Sequence, residues 1–252
     1  MNRNFISSVT GLFILTLAVG CRVTMPTPLA DVNASALAEP ISYYGDIELF
    51  DEKSTPLSVK VAAPASSDDI SLIETLKDAV NKSDVNCTAF DKPCDIQIYI
   101  NSAYQELTPA PQCRLSNSIA ISVAAPDGTM LLPIWQHKTQ NMQAYSTAAD
   151  AKNKLRPVIN ETILAWEKNN FRREVVKNLN VSIVRFKMSR RLIELDPIRF
   201  EKDLRLIINK LRKLAGCIDV RTIEANKETR IVSFRILHRN GLCVKDEINK
   251  QK

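Results

Sequence analysis

The run from Phe5 to Val19 is apolar except for Ser7, Ser8, Thr10, Gly11 and Thr16, and it starts behind Arg3. It falls short of the ~20 residues a helix needs to cross a bilayer, and it closes on Ala18-Val19-Gly20-Cys21. This pattern predicts a cleavable signal peptide over residues 1–20 and not a permanent span. No later run approaches membrane-spanning length, so residues 21–252 are expected to fold outside the bilayer around a core of their own. Their apolar and charged fractions, 45% and 25% over the whole sequence, are those of a globular chain.

Small residues before a cysteine resemble the lipobox of bacterial lipoproteins. The position three before the cysteine, usually Leu, is Ala18 here, with Leu17 one place further back. The resemblance covers residues 1–21. It implies a diacylglycerol on the Cys21 sulfur, cleavage before it, and acylation of the new amino group, the modification that palmitate labels. One acyl chain binds a membrane reversibly, whereas several hold a protein on its leaflet. Arg22 follows the cysteine, where many inner-membrane lipoproteins carry Asp. The implied location is the cell envelope, with the outer membrane facing the periplasm favoured.

Charge divides the chain in two. Residues 22–167 hold 11 Lys and Arg against 18 Asp and Glu, a net −7; residues 168–252 hold 22 against 10, a net +12. Either the halves attract each other, or the C-terminal one faces something anionic: phospholipid, lipopolysaccharide, peptidoglycan or an acidic partner. Nucleic acid is not expected, because an exported chain rarely meets it and no aromatic residues interleave the cations.

The periodicities predict an α+β chain built as two small two-layer sandwiches. Residues 21–56, with Pro26, Pro28, Pro40 and Pro56, read as a lipidated tether, part of which, Ile41 to Phe50, could add a strand or hairpin to the body. An acidic unit over 57–171 has the order βαβββα: a strand at 57–62, a helix at about 68–82, a strand at 95–101, a hairpin of 118–124 and 130–138 about Asp127-Gly128, and a helix at about 147–171. Pro157 is expected to kink or split that last helix. A basic unit over 172–252 has the order βαββ, ferredoxin-like or like the modules of secretion machines. It comprises a strand at 181–188, a helix from Asp196-Pro197 to Gly216, and a hairpin of 218–224 and 231–238 around Asn226–Thr229. Phe200, Leu204, Ile207, Ile208, Leu211 and Leu214 form that helix's buried face.

Five cysteines follow Cys21, and none has C-x-x-C spacing. Export permits disulfides. Hairpin residue sums near 456 set Cys217 opposite Arg239, from which Asn240-Gly241 could return Cys243, predicting Cys217–Cys243. Cys87–Cys94 is the expected second pair, leaving Cys113 free.

Neither His137 nor His238 is spaced for a metal site. His238 is in phase with Val232, Phe234 and Ile236 and reads as the end of a core face. Pro133 places the strand of Trp135 and His137 at a sheet edge or bulge. No phosphate loop, nucleophile elbow, dinucleotide fingerprint or metalloprotease motif occurs, so neither catalysis nor a cofactor is expected. The candidate interaction surface is Arg190, Arg191, Arg199, Arg205 and Arg212. The expected role is a non-enzymatic scaffold or assembly accessory that binds other envelope proteins. The alternative is a binding module for an anionic envelope polymer or lipid.

Overall fold

β-Branched residues alternating with polar ones build the sheets, as expected from their fit to a pleated, half-buried surface. The computed structural model describes residues 41–51, 56–63, 70–83, 85–88, 92–189, 197–226, 228–240 and 244–250. In chain order they form β1 (Gly45–Asp51), β2 (Ser58–Ala62), α1 (Ile70–Asn81), β3 (Asn86–Cys87), β4 (Ile96–Thr108), β5 (Arg114–Ala124), β6 (Met130–Gln140), α2 (Ala148–Trp166), a wider helical continuation (Glu167–Val176), β7 (Leu179–Met188), α3 (Pro197–Arg212), β8 (Cys217–Asn226), β9 (Ile231–Arg239) and α4 (Val244–Asn249).

These strands make two sheets, and the fold is α+β. The first has the order β3-β2-β4-β5-β6, with β2 parallel to β3 and β4 and the rest antiparallel. The second has the order β1-β7-β9-β8, all antiparallel. Val59, Val61, Ile96, Ile98, Ile100 and Ile121 line the inner face of the first sheet; Leu72, Leu76 and Val80 of α1 and Leu155, Ile159 and Trp166 of α2 close over it. The same core takes in Leu179 and Val181 of β7 and Leu237 of β9. The described residues, from 41 to 250, all fall in one compact unit.

The stretch read as tether gives up seven residues to the second sheet. β1 runs antiparallel to β7, with Gly45 opposite Met188 and Asp51 opposite Ile183. Gly45 has φ +151°, and a Cβ there would lie 2.1 Å from the Lys187 carbonyl oxygen. Only glycine lets the two backbones approach so closely.

α2 passes through Pro157 without ending. Proline frees the carbonyl of the residue four earlier; here Asn153 is exposed, where water can satisfy it. The irregularity begins ten residues later, at Glu167, and at its end Lys177 N–H reaches the Arg172 carbonyl, an i→i−5 bond. At that wider pitch Arg172 lies over Glu167, Nε to Oε1 3.3 Å. Ser83, at the end of α1, donates to the same carboxylate and receives Arg172 Nη2 at 2.9 Å. Glu167 is buried, so this pair fixes α1 to the widened turns.

Candidate functional site

The described residues contain no group of three or more His, Cys, Asp or Glu placed to hold a metal ion. The chemistry lies in one buried clamp and several open surfaces.

The clamp is Asp95, 3% exposed, just before β4. Its Oδ1 accepts Arg235 Nε at 2.6 Å and Arg221 Nη2 at 2.8 Å. Its Oδ2 accepts Arg235 Nη2 at 2.6 Å, Ser58 Oγ at 2.7 Å and Ser58 N–H at 2.8 Å. Arg221 and Arg235 also donate to the carbonyls of Cys94 and Pro56. Burial alone would raise the Asp95 pKa, but the hydrogen bonds from Arg235 and Ser58 hold it below the usual carboxylate value. A carboxylate of the acidic half thus neutralises two arginines of the basic half.

A second electrostatic interaction between the halves is repulsive. Burial, and then the charge of Asp127 in the β5–β6 turn, raise the pKa of Asp219 on β8, against the opposing pull of Arg212. Arg212 Nη2 reaches Asp219 Oδ1 at 3.3 Å.

The expected cationic surface is only partly within view. Arg190 and Arg191 lie outside the described residues, as do Cys21 and Cys243, and Arg199 is described only as backbone of α3. Arg205 is exposed, and Arg212 is exposed but engaged by Asp219. Lys202 is exposed on the same helix and Lys213 just beyond its end at Arg212; of the expected buried face, Phe200, Ile207, Leu211 and Leu214 are buried, whereas Leu204 and Ile208 are only half-buried and Leu206 is buried instead.

Cys87, Cys94, Cys113 and Cys217 are free thiols. Cys87 and Cys94 cannot pair, because β2 runs between their strands: Val59 faces Cys87 on one side and Ile96 on the other. Two strand spacings, about 9.5 Å, exceed the span a disulfide bridges. Cys113 is buried at the start of β5, away from Cys94. The central β8–β9 register has the expected sum of 456, Val220 facing Ile236, but a bulge before Asp219 sets Cys217 opposite His238 and not Arg239. Burial and then Asp219 push the Cys217 thiol up to about 12, leaving it protonated at neutral pH. Its expected partner, Cys243, is outside the described residues.

His238 is 3% exposed, 2.9 Å from Ser182 Oγ, at the end of the core face as expected. Trp135 is half-buried, stacks on His137 at 5.5 Å and meets Trp166 at 6.3 Å. β6 is the edge strand that Pro133 predicted, and it carries a register shift beside that proline. Proline, irregularity and Lys138 all discourage another strand from adding there.

Two surfaces escaped the sequence reading. One is the far end of the first sheet, where residues 105–112 are all exposed. Thr108 Oγ1 donates to the Gln112 carbonyl at 2.5 Å and accepts the Arg114 N–H at 3.0 Å, and Gln112 N–H reaches the Pro109 carbonyl at 3.2 Å. The loop is therefore braced, and it presents Leu107, Pro109 and Pro111, with Met142, 84% exposed, at the same end. The other is the outer face of the same sheet, a concavity of about 480 Å³ lined by Asn101, Ala103, Ser118, Ala120, Gln136 and Lys138 among others. Neither produces a motif, because each is assembled from alternate positions or a loop.

No protein-family model matches the chain, and no curated protein matches it in sequence. Among solved structures it is similar to a minor lipoprotein from Acinetobacter baumannii, at 12% identity and TM-score 0.34, over 46% of this chain and 92% of that one. It is also similar to the rare lipoprotein B from Shewanella oneidensis, at 11% identity and TM-score 0.32, over 48% of this chain and 95% of that one. A third is a lipoprotein from Neisseria meningitidis, at 10% identity and TM-score 0.29, over 42% and 98%.

Proposed function

We propose that this chain is a lipid-anchored protein of the bacterial cell envelope, held in the outer membrane on the periplasmic side, that serves without catalysis as a scaffold or assembly accessory for other envelope proteins. The anchor rests on Cys21 and its lipobox. The observation that carries the protein-binding role is the braced loop 105–112, where Leu107, Pro109 and Pro111 are exposed at the same end of the sheet as Met142. A loop already ordered by its own hydrogen bonds loses little conformational entropy on docking. From Ile96 to Thr108, β4 carries this tip about 40 Å from the Asp95 end of the sheet.

Two measurements test the reading. Palmitate should label the wild type and not Cys21→Ala, and labelled protein should fractionate with outer membrane; equal labelling of both would remove the anchor. A photo-crosslinker at Leu107 or Met142 in living cells should capture discrete envelope proteins, and Leu107→Asp with Met142→Asp should abolish their co-purification. Recovery unchanged by that pair would sink the role given to the tip.

A further inference from the structure

We infer that the surface formed by α3 and the turn Ile41–Tyr43 is the side on which the protein rests against anionic phospholipid headgroups. The choice of a membrane as the source of those anions rests on the anchor proposed above; the chemistry of the surface does not.

The chain enters its folded body beside α3. Lys210 of α3 sets its ammonium group 5.8 Å from the centroid of the Tyr44 ring, and the Tyr44 carbonyl accepts the Ser189 N–H at 2.9 Å just past the end of β7. Ile41 and Tyr44 are each 2% exposed, whereas Tyr43 between them is 55% exposed, its ring edge-on to Tyr44. Residues 21–40 separate this turn from the thiol that the lipobox marks. A flexible chain of that length has a root-mean-square span of about 25 Å. α3 itself is about 24 Å long, so a chain anchored at Cys21 keeps the helix within reach of its own leaflet.

Charge is the second observation. α3 exposes Lys202, Arg205 and Arg212, with Lys213 just beyond its end, against a single exposed acid, Glu201; its other carboxylate, Asp203, is buried. Arg212 is engaged by Asp219, whereas Lys202, Arg205 and Lys213 have no ion-pair partner among the described residues. Lys202 and Lys213 lie about three turns apart on one line of the helix, on the side next to Lys210, and Arg205 faces outward between them. Leu204 and Ile208, only half-buried, border the cations on the opposite flank.

These features select among partners. A headgroup layer offers negative charge above an apolar boundary, and it takes cations with a tyrosine beside them, the residue enriched at membrane interfaces. Protein interfaces set aromatic residues and arginine in a packed centre and are depleted in lysine; here two of the three unpaired cations are lysines, spread along the helix, with the aromatic ring at the edge. Long lysine and arginine stems also lie along apolar surface while their charged heads reach outward.

The test is flotation of the unlipidated mature chain, residues 22–252, with vesicles of phosphatidylglycerol in phosphatidylcholine and with vesicles of phosphatidylcholine alone. Binding to the anionic vesicles should exceed binding to the neutral ones by on the order of a hundredfold, at about fivefold for each of three cations at the surface. It should collapse as salt rises from ~0.05 to ~0.5 M. Lys202→Glu with Arg205→Glu should abolish the preference at unchanged Tm. Arg185→Glu with Lys187→Glu, the same charge change on exposed positions of β7, should retain it. Tyr43→Ala should weaken binding without altering its salt dependence, because an apolar contribution is not screened. No preference for anionic vesicles in the wild type overturns the inference, as does equal loss in both charge reversals, which would reduce the effect to net charge. Binding to purified peptidoglycan sacculi with none to anionic vesicles would assign the cations to the wall polymer instead. Because the protein tested carries no lipid, these outcomes stand apart from whether Cys21 is acylated, which palmitate labelling decides.

Discussion

Asp95 accepts from two arginines and a serine while almost wholly removed from water, so its charge is balanced only as long as both halves of the chain stay in place. Removing one partner of such a buried set leaves the others uncompensated, which costs several kcal/mol. Asp95→Asn should therefore lose about 3 kcal/mol in urea unfolding at neutral pH; a loss under ~1 kcal/mol would mean that Arg221 and Arg235 find solvent instead. Because the folded pKa is depressed, the stabilisation is complete above the ordinary carboxylate value and is withdrawn as pH falls through the lower folded value. Asp219 has the opposite sign. Its folded pKa is raised, so its carboxylate is penalised at neutral pH and the penalty lifts as the pH drops through that raised value. Asp127→Asn keeps the oxygen that accepts the Thr129 N–H and removes the repulsion. It should raise Tm at pH 7 and lose that advantage once Asp219 is protonated, a crossover that thermal melts across pH would reveal. Equal Tm at every pH would mean that solvent screens the two charges. Neither pair was legible in the sequence. Asp95 and Arg235 are 140 positions apart, and no local pattern marks an aspartate that waits for a distant arginine.

At the scale of elements, period and punctuation located nearly every strand and helix. Asp127-Gly128 placed its hairpin, Gly216 at φ +85° follows α3, and Pro133 marked an edge. Departures came where geometry depends on neighbours. The bulge beside Cys217 moved its partner by one residue, and the widened turns after Trp166 are secured by Ser83 from another helix. β1 falls in the stretch from Ile41 to Phe50 expected to add a strand or hairpin to the body, and it pairs with β7. Its position depends on Gly45, because a Cβ would press into the Lys187 carbonyl. Gly45→Ala should detach the start of β1 and cost on the order of 2 kcal/mol. Hydrogen exchange should then quicken across residues 45–51 and along the facing edge of β7. Unaltered exchange in both strands would show that the backbone yields more cheaply than the close approach suggests.

For the whole molecule, the opposed charges of the two halves were plain in composition, but composition could not say where they meet. They meet at Asp95, and they meet beside a strand exchange that has nothing to do with charge: β1, from the acidic side of the sequence, is an edge strand of the basic sheet. Leu179, Val181 and Leu237 also enter the core made by β2 to α2. If charge alone joined the halves, fragments 22–171 and 172–252 would associate in low salt and separate in high salt. The pairing of β1 with β7 and the shared apolar core predict otherwise. Hydrophobic burial is not screened, and the Asp95 clamp is shielded from counterions by its own burial. Co-expressed fragments should therefore co-purify even in ~0.5 M salt, where the Debye length falls to about 4 Å. Fragment 172–252 alone, with the β7 edge uncovered, should aggregate. Joining residues 44–51 through a linker to the start of fragment 172–252, so that β1 again covers the β7 edge, should leave that piece soluble. Clean separation of 22–171 from 172–252 at high salt, with each half monomeric, would return the junction to electrostatics and leave β1 as a dispensable ornament of the sheet.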